Sequence, residues 1–255
     1  MMPVLIDRLD AIGVITLNRP EKRNALDLSM RVAIAGAVTA LDDEPAIRAI
    51  VITGNDKAFA AGADLSLLVD QGSQGVADLN LGQYWAPLAR SRTPLIAAVS
   101  GFALGAGCEL AMMCDIIICD ASARFGQPEA KVGIMPGAGG TQRLIRAVGK
   151  SAASLMLMTG ETINGERAYQ LGLAAEFVTD GSVLERATTL AHAAAKLPPK
   201  VLEAIKRTLG VGADLPLDAA LALENREFLL LFDTEDKLEG MRAFLERRAP
   251  EFNGL

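Results

Sequence analysis

The chain has few aromatic residues. Phe, Tyr and Trp make up 4% of its 255 residues, with one Trp and two Tyr, so base-stacking platforms for nucleic acid are poorly supplied and the core must be built from Ala, Leu, Ile, Val and Met. Histidine is scarcer still. A Ser/His/Asp triad would have to pass through His192, the single histidine, which lies in the alanine-rich, helix-like stretch from Ser182 to Leu197, far in sequence from any glycine loop. A packing or surface role is expected for it. The three cysteines, Cys108, Cys114 and Cys119, have no zinc-like spacing, and their odd number argues against a disulfide framework. They read as buried free thiols in a reducing compartment. No His/Cys/Asp/Glu cluster suggests a metal. No segment has the basic start and long apolar run of a secretory leader, or the length of a membrane span, so the expected location is the cytoplasm. The formal net charge of -6 disfavours nonspecific adhesion to nucleic acid or anionic membrane. A dinucleotide fingerprint is missing too, because Gly105-x-Gly107 is followed by Leu110 and Gly137-x-Gly139 by Gln142.

Hydrophobic residues are plentiful, at 51%, enough for a large core in one main domain with an appendage. Strand-like runs at Val14 to Leu17, Ala49 to Thr53, Ile96 to Ser100 and Asp115 to Cys119 alternate with helical patterns at Ser29 to Asp42 and Gly140 to Val148. This alternation predicts an α/β domain. The polar, glycine-bearing stretch Asp70 to Asn80 reads as a mobile loop over a ligand pocket or as a plain connection. Tyr84 and Trp85 are candidates for the wall of such a pocket or for the core. Leu197-Pro198-Pro199 marks a break, and Lys200 to Thr208, Leu217 to Phe232 and Asp233 to Arg248 read as three helices with apolar faces. The run Leu229 to Phe232 is too apolar for an exposed helix, which predicts packing on the core or on another subunit.

Two glutamates sit in glycine-studded apolar frames. Glu109 lies within SGFALGAGCELAMMCDIIICD (Ser100 to Asp120) and Glu129 within FGQPEAKVGIMPGAGGTQRL (Phe125 to Leu144). A carboxylate in such surroundings must be paired, neutralised or used, and two of them suggest an acid/base pair. Gly101, Gly105 and Gly107 let the chain turn sharply after a buried strand, and Cys108 to Cys114 reads as a helix start with Glu109 in its first turn. Free N–H groups at a helix start favour a negative oxygen. A third loop, KAFAAGADL (Lys57 to Leu65), repeats the theme, with small residues exposing the backbone and Asp64 placed to cap the next helix. Two separate backbone N–H donors are what an oxyanion hole requires.

The landmarks ITLNRPEKRNAL (Ile15 to Leu26), AFAAGADL (Ala58 to Leu65), the two glutamate segments and TEDKLEGMRAFLERRAPEF (Thr234 to Phe252) run in that order. Together they resemble the enoyl-CoA hydratase/isomerase superfamily, the crotonases, nearly end to end. The resemblance implies a crotonase-like spiral of β-β-α repeats over residues 1–197 and a C-terminal helical trimerisation region over residues 198–255. Glu109 and Glu129 match the two catalytic glutamates of the hydratase branch, and the backbone N–H groups of Ala63 and Ala106 match the oxyanion-hole positions. Ala106 stands where well-known hydratases have Gly, so its backbone must adopt a conformation that a Cβ permits.

The resemblance also implies a substrate- and CoA-binding set: Lys22, Arg23, Ala25, Leu26, Ala61, Asp64, Leu65, Ser66 and Gly107, with Phe244 and Arg247 reaching the CoA of a neighbouring subunit. Ser66 and Arg247 both fall where relatives often carry Lys. Arg248 joins Lys22, Arg23 and Arg247 as a candidate grip on the CoA phosphates. The implied partner is an acyl-CoA, with coenzyme A entering as part of the substrate rather than as a cofactor, and the implied assembly is a homotrimer or a hexamer. The implied reaction is hydration of a trans-2-enoyl-CoA to a 3-hydroxyacyl-CoA. One alternative is an isomerase or another acyl-CoA rearrangement that uses one glutamate decisively. The other is a non-catalytic acyl-CoA-binding or RNA-binding relative. The presence of both glutamates favours hydration.

Overall fold

In a computed structural model, residues 2–255 are described. An antiparallel hairpin of β1 (Val4–Leu9) and β2 (Ile12–Leu17) leads into α1 (Leu28–Asp42), where Asp27 caps the helix by accepting the Met30 N–H at 2.8 Å. Then follow β3 (Ala49–Thr53), β4 (Ala58–Ala60), α2 (Ser73–Asp78), α3 (Ala86–Arg90), β5 (Leu95–Val99), β6 (Phe102–Leu104), α4 (Ala106–Met113), β7 (Ile116–Asp120) and β8 (Arg124–Gly126). The chain continues through α5 (Gly140–Thr159), β9 (Thr162–Asn164), α6 (Gly165–Gln170), β10 (Glu176–Val178) and α7 (Val183–Ala195). It closes with α8 (Pro199–Gly212), α9 (Leu217–Leu230) and α10 (Glu235–Glu246).

From β3 to β8, consecutive strands alternate between two sheets. One sheet has the order β1-β2-β3-β5-β7-β10, and the other β4-β6-β8-β9. Each turn of the chain lays a strand in the large sheet, a short strand in the small sheet, and then helix, which is the expected β-β-α spiral. Parallel pairing repeats in step, with Val51 beside Ile96 and Ile96 beside Ile116 in one sheet, and Phe102 beside Arg124 in the other.

β3 and β5 are buried on both faces, which explains their unbroken apolar sequences. Their side chains divide by the two-residue period. Ile50 and Ile52 join Met30, Ile34 and Leu41 of α1 in the main core. Ala49 and Val51 face the other way, with Ile96 and Ile118, against Val183, Ala187 and Ala191 of α7.

Three expectations are refined. The stretch Asp70 to Asn80 contains α2 rather than a featureless loop, steadied by a Gln74 to Asp78 side-chain hydrogen bond of 2.8 Å at helical spacing. The helix expected over Gly140 to Val148 forms and, past a break at Gly149 (φ 76°, ψ 165°), resumes to Thr159. The run from Leu229 to Phe232 does not pack on its own core: Leu229, Leu230 and Phe232 are 57%, 56% and 42% exposed. Among the described residues, no helix is long and apolar enough to cross a membrane.

Candidate active site

The strand-to-helix turn between β6 and α4 depends on glycine. Gly105, which precedes α4, has φ 50° and ψ -123°, a conformation that L side chains rarely adopt. A Cβ there would lie 2.7 Å from Glu129 Oε1. At Gly107 a Cβ would lie 2.0 Å from the Ala60 carbonyl oxygen, so the first turn of α4 sits directly on β4. Ala106 between them is helical and absent from the positive-φ residues; its Cβ is therefore tolerated, and the alanine leaves the backbone donor intact. As the first residue of α4, its N–H has no intrahelical acceptor.

The second donor comes from the β4 side. Leu26 N–H binds Gly62 O at 2.8 Å and Asp64 N–H binds Leu26 O at 3.4 Å. These two bonds bracket Ala63 and leave its N–H unused. Ala63 and Ala106 both line a cavity of about 670 Å³ that also contains Glu109 and Glu129. The walls run through Leu68, Val76, Trp85 and Met135, so the segment from Leu65 to Trp85, α2 included, does border the pocket. Tyr84 is not among the lining residues.

Glu109 is 2% exposed. Its Oε1 accepts the N–H groups of Ala138 and Gly140, both at 2.7 Å. Burial raises its pKa overall, and the Gly140 and Ala138 N–H groups and the nearby charge of Arg31 offset this only in part. Glu129 stands on a 3-10 turn, Pro128–Val132. Burial, offset by its own N–H and helped by the charge of Glu109, pushes its carboxyl up to about 7. Gln127 is wholly buried beside it. With the amide nitrogen assigned toward Glu129, Gln127 donates to Oε1 at 3.1 Å and Oε2 at 3.2 Å.

The loops expected to hold CoA are zipped together. Ala61 N–H donates to Arg23 O at 3.0 Å, which sets Lys22, Arg23 and Ala25 alongside Ala61, Asp64, Leu65 and Ser66. Asp64 accepts the Ser66 N–H and hydroxyl at 3.2 and 2.7 Å, the expected cap. Lys22, Arg23, Leu65 and Ser66 are exposed, whereas Leu26 is completely buried and serves the core. Arg23 lies over the Phe102 ring at 5.5 Å. Phe244, 84% exposed, and Arg247 are on or beside α10 and do not line this cavity. Arg248 is unsuited to a phosphate grip because Glu239 and Glu246 already hold it, at 2.6 and 2.7 Å.

Sequence reading missed Ala138, Gly140, Gln127 and Arg31. The glycine-rich run Pro136 to Gly140 was the available signal for the first two. The cysteines are buried and free, and burial pushes the thiols of Cys108 and Cys119 up to about 12. A separate cavity of about 740 Å³ between α3, α5 and α8 contains neither glutamate.

The profile of the enoyl-CoA hydratase/isomerase family matches residues 7–254. A 2,3-dehydroadipyl-CoA hydratase of Escherichia coli is 44% identical over 254 residues, 100% of both chains. A probable enoyl-CoA hydratase of Mycobacterium bovis is 43% identical, over 98% of this chain and 97% of its own. The crystal structure of an enoyl-CoA hydratase subunit I from Geobacillus kaustophilus superposes with a TM-score of 0.96 at 41% identity, covering 99% of this chain and 98% of that one.

Proposed function

The chain belongs to the enoyl-CoA hydratase/isomerase family, within the crotonase superfamily, and we propose on that premise that it adds water across the 2,3 double bond of a trans-2-enoyl-CoA to give a 3-hydroxyacyl-CoA. The observation that carries this reading is the unlike environment of two carboxyl groups in one cavity. Glu109 is held by two backbone N–H donors and Glu129 is pushed up to about 7 by burial. Burial raises both carboxyls, but two groups held so differently divide into a base and an acid.

The thioester carbonyl is gripped by the Ala63 and Ala106 N–H groups. Glu109 orients a water and takes its proton as the water oxygen bonds to the β-carbon. The electrons of the double bond move onto the thioester oxygen, where the two N–H groups stabilise the enolate, an effect worth about 3 kcal/mol per donor in known cases. Glu129, protonated, gives its proton to the α-carbon as the enolate collapses. A proton then returns from Glu109 to Glu129 and resets the pair. Coenzyme A is the carrier of the substrate, and no separate cofactor takes part. Lys22 and Arg23 meet its phosphates, with Phe244 and Arg247 supplied from a neighbouring subunit in a trimer or hexamer, an assembly that would also cover the exposed run from Leu229 to Phe232. The enzyme works in the cytoplasm.

Loss of the enoyl-thioester ultraviolet absorbance of crotonyl-CoA tests the reading. Rapid loss that collapses in both Glu109→Gln and Glu129→Gln supports it. Binding of crotonyl-CoA without absorbance loss in the wild type overturns short-chain hydration and brings forward double-bond isomerisation or a specialised substrate.

A further inference from the structure

One wall of the acyl cavity carries a charge that the hydration chemistry does not require. Arg31 lines the cavity with Glu109 and Trp85, yet its residue is only 4% exposed. Its Nε donates to Leu26 O at 3.2 Å and its guanidinium lies 4.9 Å from the Trp85 ring centre. Beyond that, among the described residues, it forms no salt bridge, and its two terminal nitrogens donate to no protein group. Glu109 and Asp27 act on it only at longer range. An arginine does not shed its proton, and a buried charge without a close partner is costly. Beside it, the Trp85 indole N–H is buried and has no acceptor. The Arg31 guanidinium, stacked on Trp85, thus presents N–H groups bound to no protein acceptor in the wall of a pocket otherwise suited to an apolar acyl chain.

We infer that Arg31 is a specificity residue that receives a carboxylate at the far end of the acyl chain, so that the preferred substrates are enoyl-CoA thioesters of dicarboxylic acids. A planar guanidinium with two free nitrogens matches a carboxylate in the forked geometry of strong ion pairs. Burial makes that match discriminating, because a methyl-ended chain leaves the donors unpaired. The inference rests on the acyl-CoA reading of this cavity, and its test separates the two.

The substrates are a six-carbon trans-2-enoyl-CoA ending in a carboxylate and trans-2-hexenoyl-CoA. The wild type is expected to show a kcat/KM ratio of at least about 10 in favour of the carboxylate. Arg31→Met should lower that ratio about 100-fold, chiefly through KM, and Arg31→Lys should recover part of it. A wild type that prefers hexenoyl-CoA, or a ratio unmoved in Arg31→Met, overturns the inference. If the wild type hydrates neither substrate, the hydratase reading fails, and quenching of the single tryptophan by adipyl-CoA and hexanoyl-CoA decides the inference by itself. Tighter binding of adipyl-CoA, lost in Arg31→Met, sustains it, and equal binding overturns it.

Discussion

Glu109 rises from the first turn of a helix and is met by a loop of the next segment, which sets two backbone N–H groups against one oxygen. Glu129 stands on a short 3-10 turn, flanked by a buried amide and the bare Cα of Gly105, with its own N–H as the acting backbone donor. Both lose water in the same cavity. The difference is what replaces it. Main-chain dipoles are fixed and favour an anion, whereas an apolar floor favours the neutral acid. The same side chain is thereby prepared for two roles by its surroundings.

The largest expected effect comes from removing either carboxyl. Glu109→Gln and Glu129→Gln should each lower kcat on crotonyl-CoA about 1000-fold, within the range of acid–base catalysis. A smaller loss in one of them would show that the labour is unequally divided. Next, Gly105→Ala aims at the Glu129 half alone. Its Cβ would fall 2.7 Å from Glu129 Oε1 at a φ of 50°, so kcat should fall about 100-fold with a destabilisation of about 2 kcal/mol, read by steady-state kinetics and urea unfolding. Retained activity would mean that Glu129 need not sit where it does. The pH profile gives a gentler contrast. Because Glu129 must be protonated and its carboxyl is pushed up to about 7, wild-type kcat/KM should fall about tenfold per pH unit on the alkaline side. The residual activity of Glu129→Gln should lack that limb.

Much of this was legible in the sequence, for physical reasons. β3 and β5 are continuous apolar runs because both faces are covered, and Glu109 in the first turn of a helix followed from its glycine frame. The strands β4, β6, β8, β9 and β10 are three residues each, too short for a period-two pattern to register. The cradle of Glu109 is made of N–H groups of Ala138 and Gly140, which no side-chain chemistry announces. Arg31 was readable in principle. It occupies the buried stripe of α1 between Met30 and Ile34, where a charge stands out only once the stripe is drawn. The apolar run at Leu229 to Phe232 predicted burial on the core or on another subunit, and the core of one protomer does not provide it.

The smallest effect tests the comparison without any substrate. A carboxyl whose folded pKa is about 7 instead of the ordinary 4.5 binds a proton in the folded state that the unfolded chain has already released. Below about 4.5 both states are protonated and the group contributes nothing. Between 4.5 and about 7 folding loses stability as pH rises, and above that the loss is constant. Glu129→Gln removes this penalty, so relative to the wild type it should gain about 2 kcal/mol between pH 5 and pH 8, or about 4 °C in melting temperature. Glu109→Gln should gain less over the same interval, although burial raises the Glu109 carboxyl too. Its charge is already met by two N–H groups, and the substituted amide brings an N–H₂ into a 2%-exposed site that was built to donate. Differential scanning calorimetry of both variants at the two pH values measures the contrast. If Glu109→Gln shows the larger pH-dependent gain, the carboxyl held neutral by the fold is Glu109, and the roles of acid and base are exchanged.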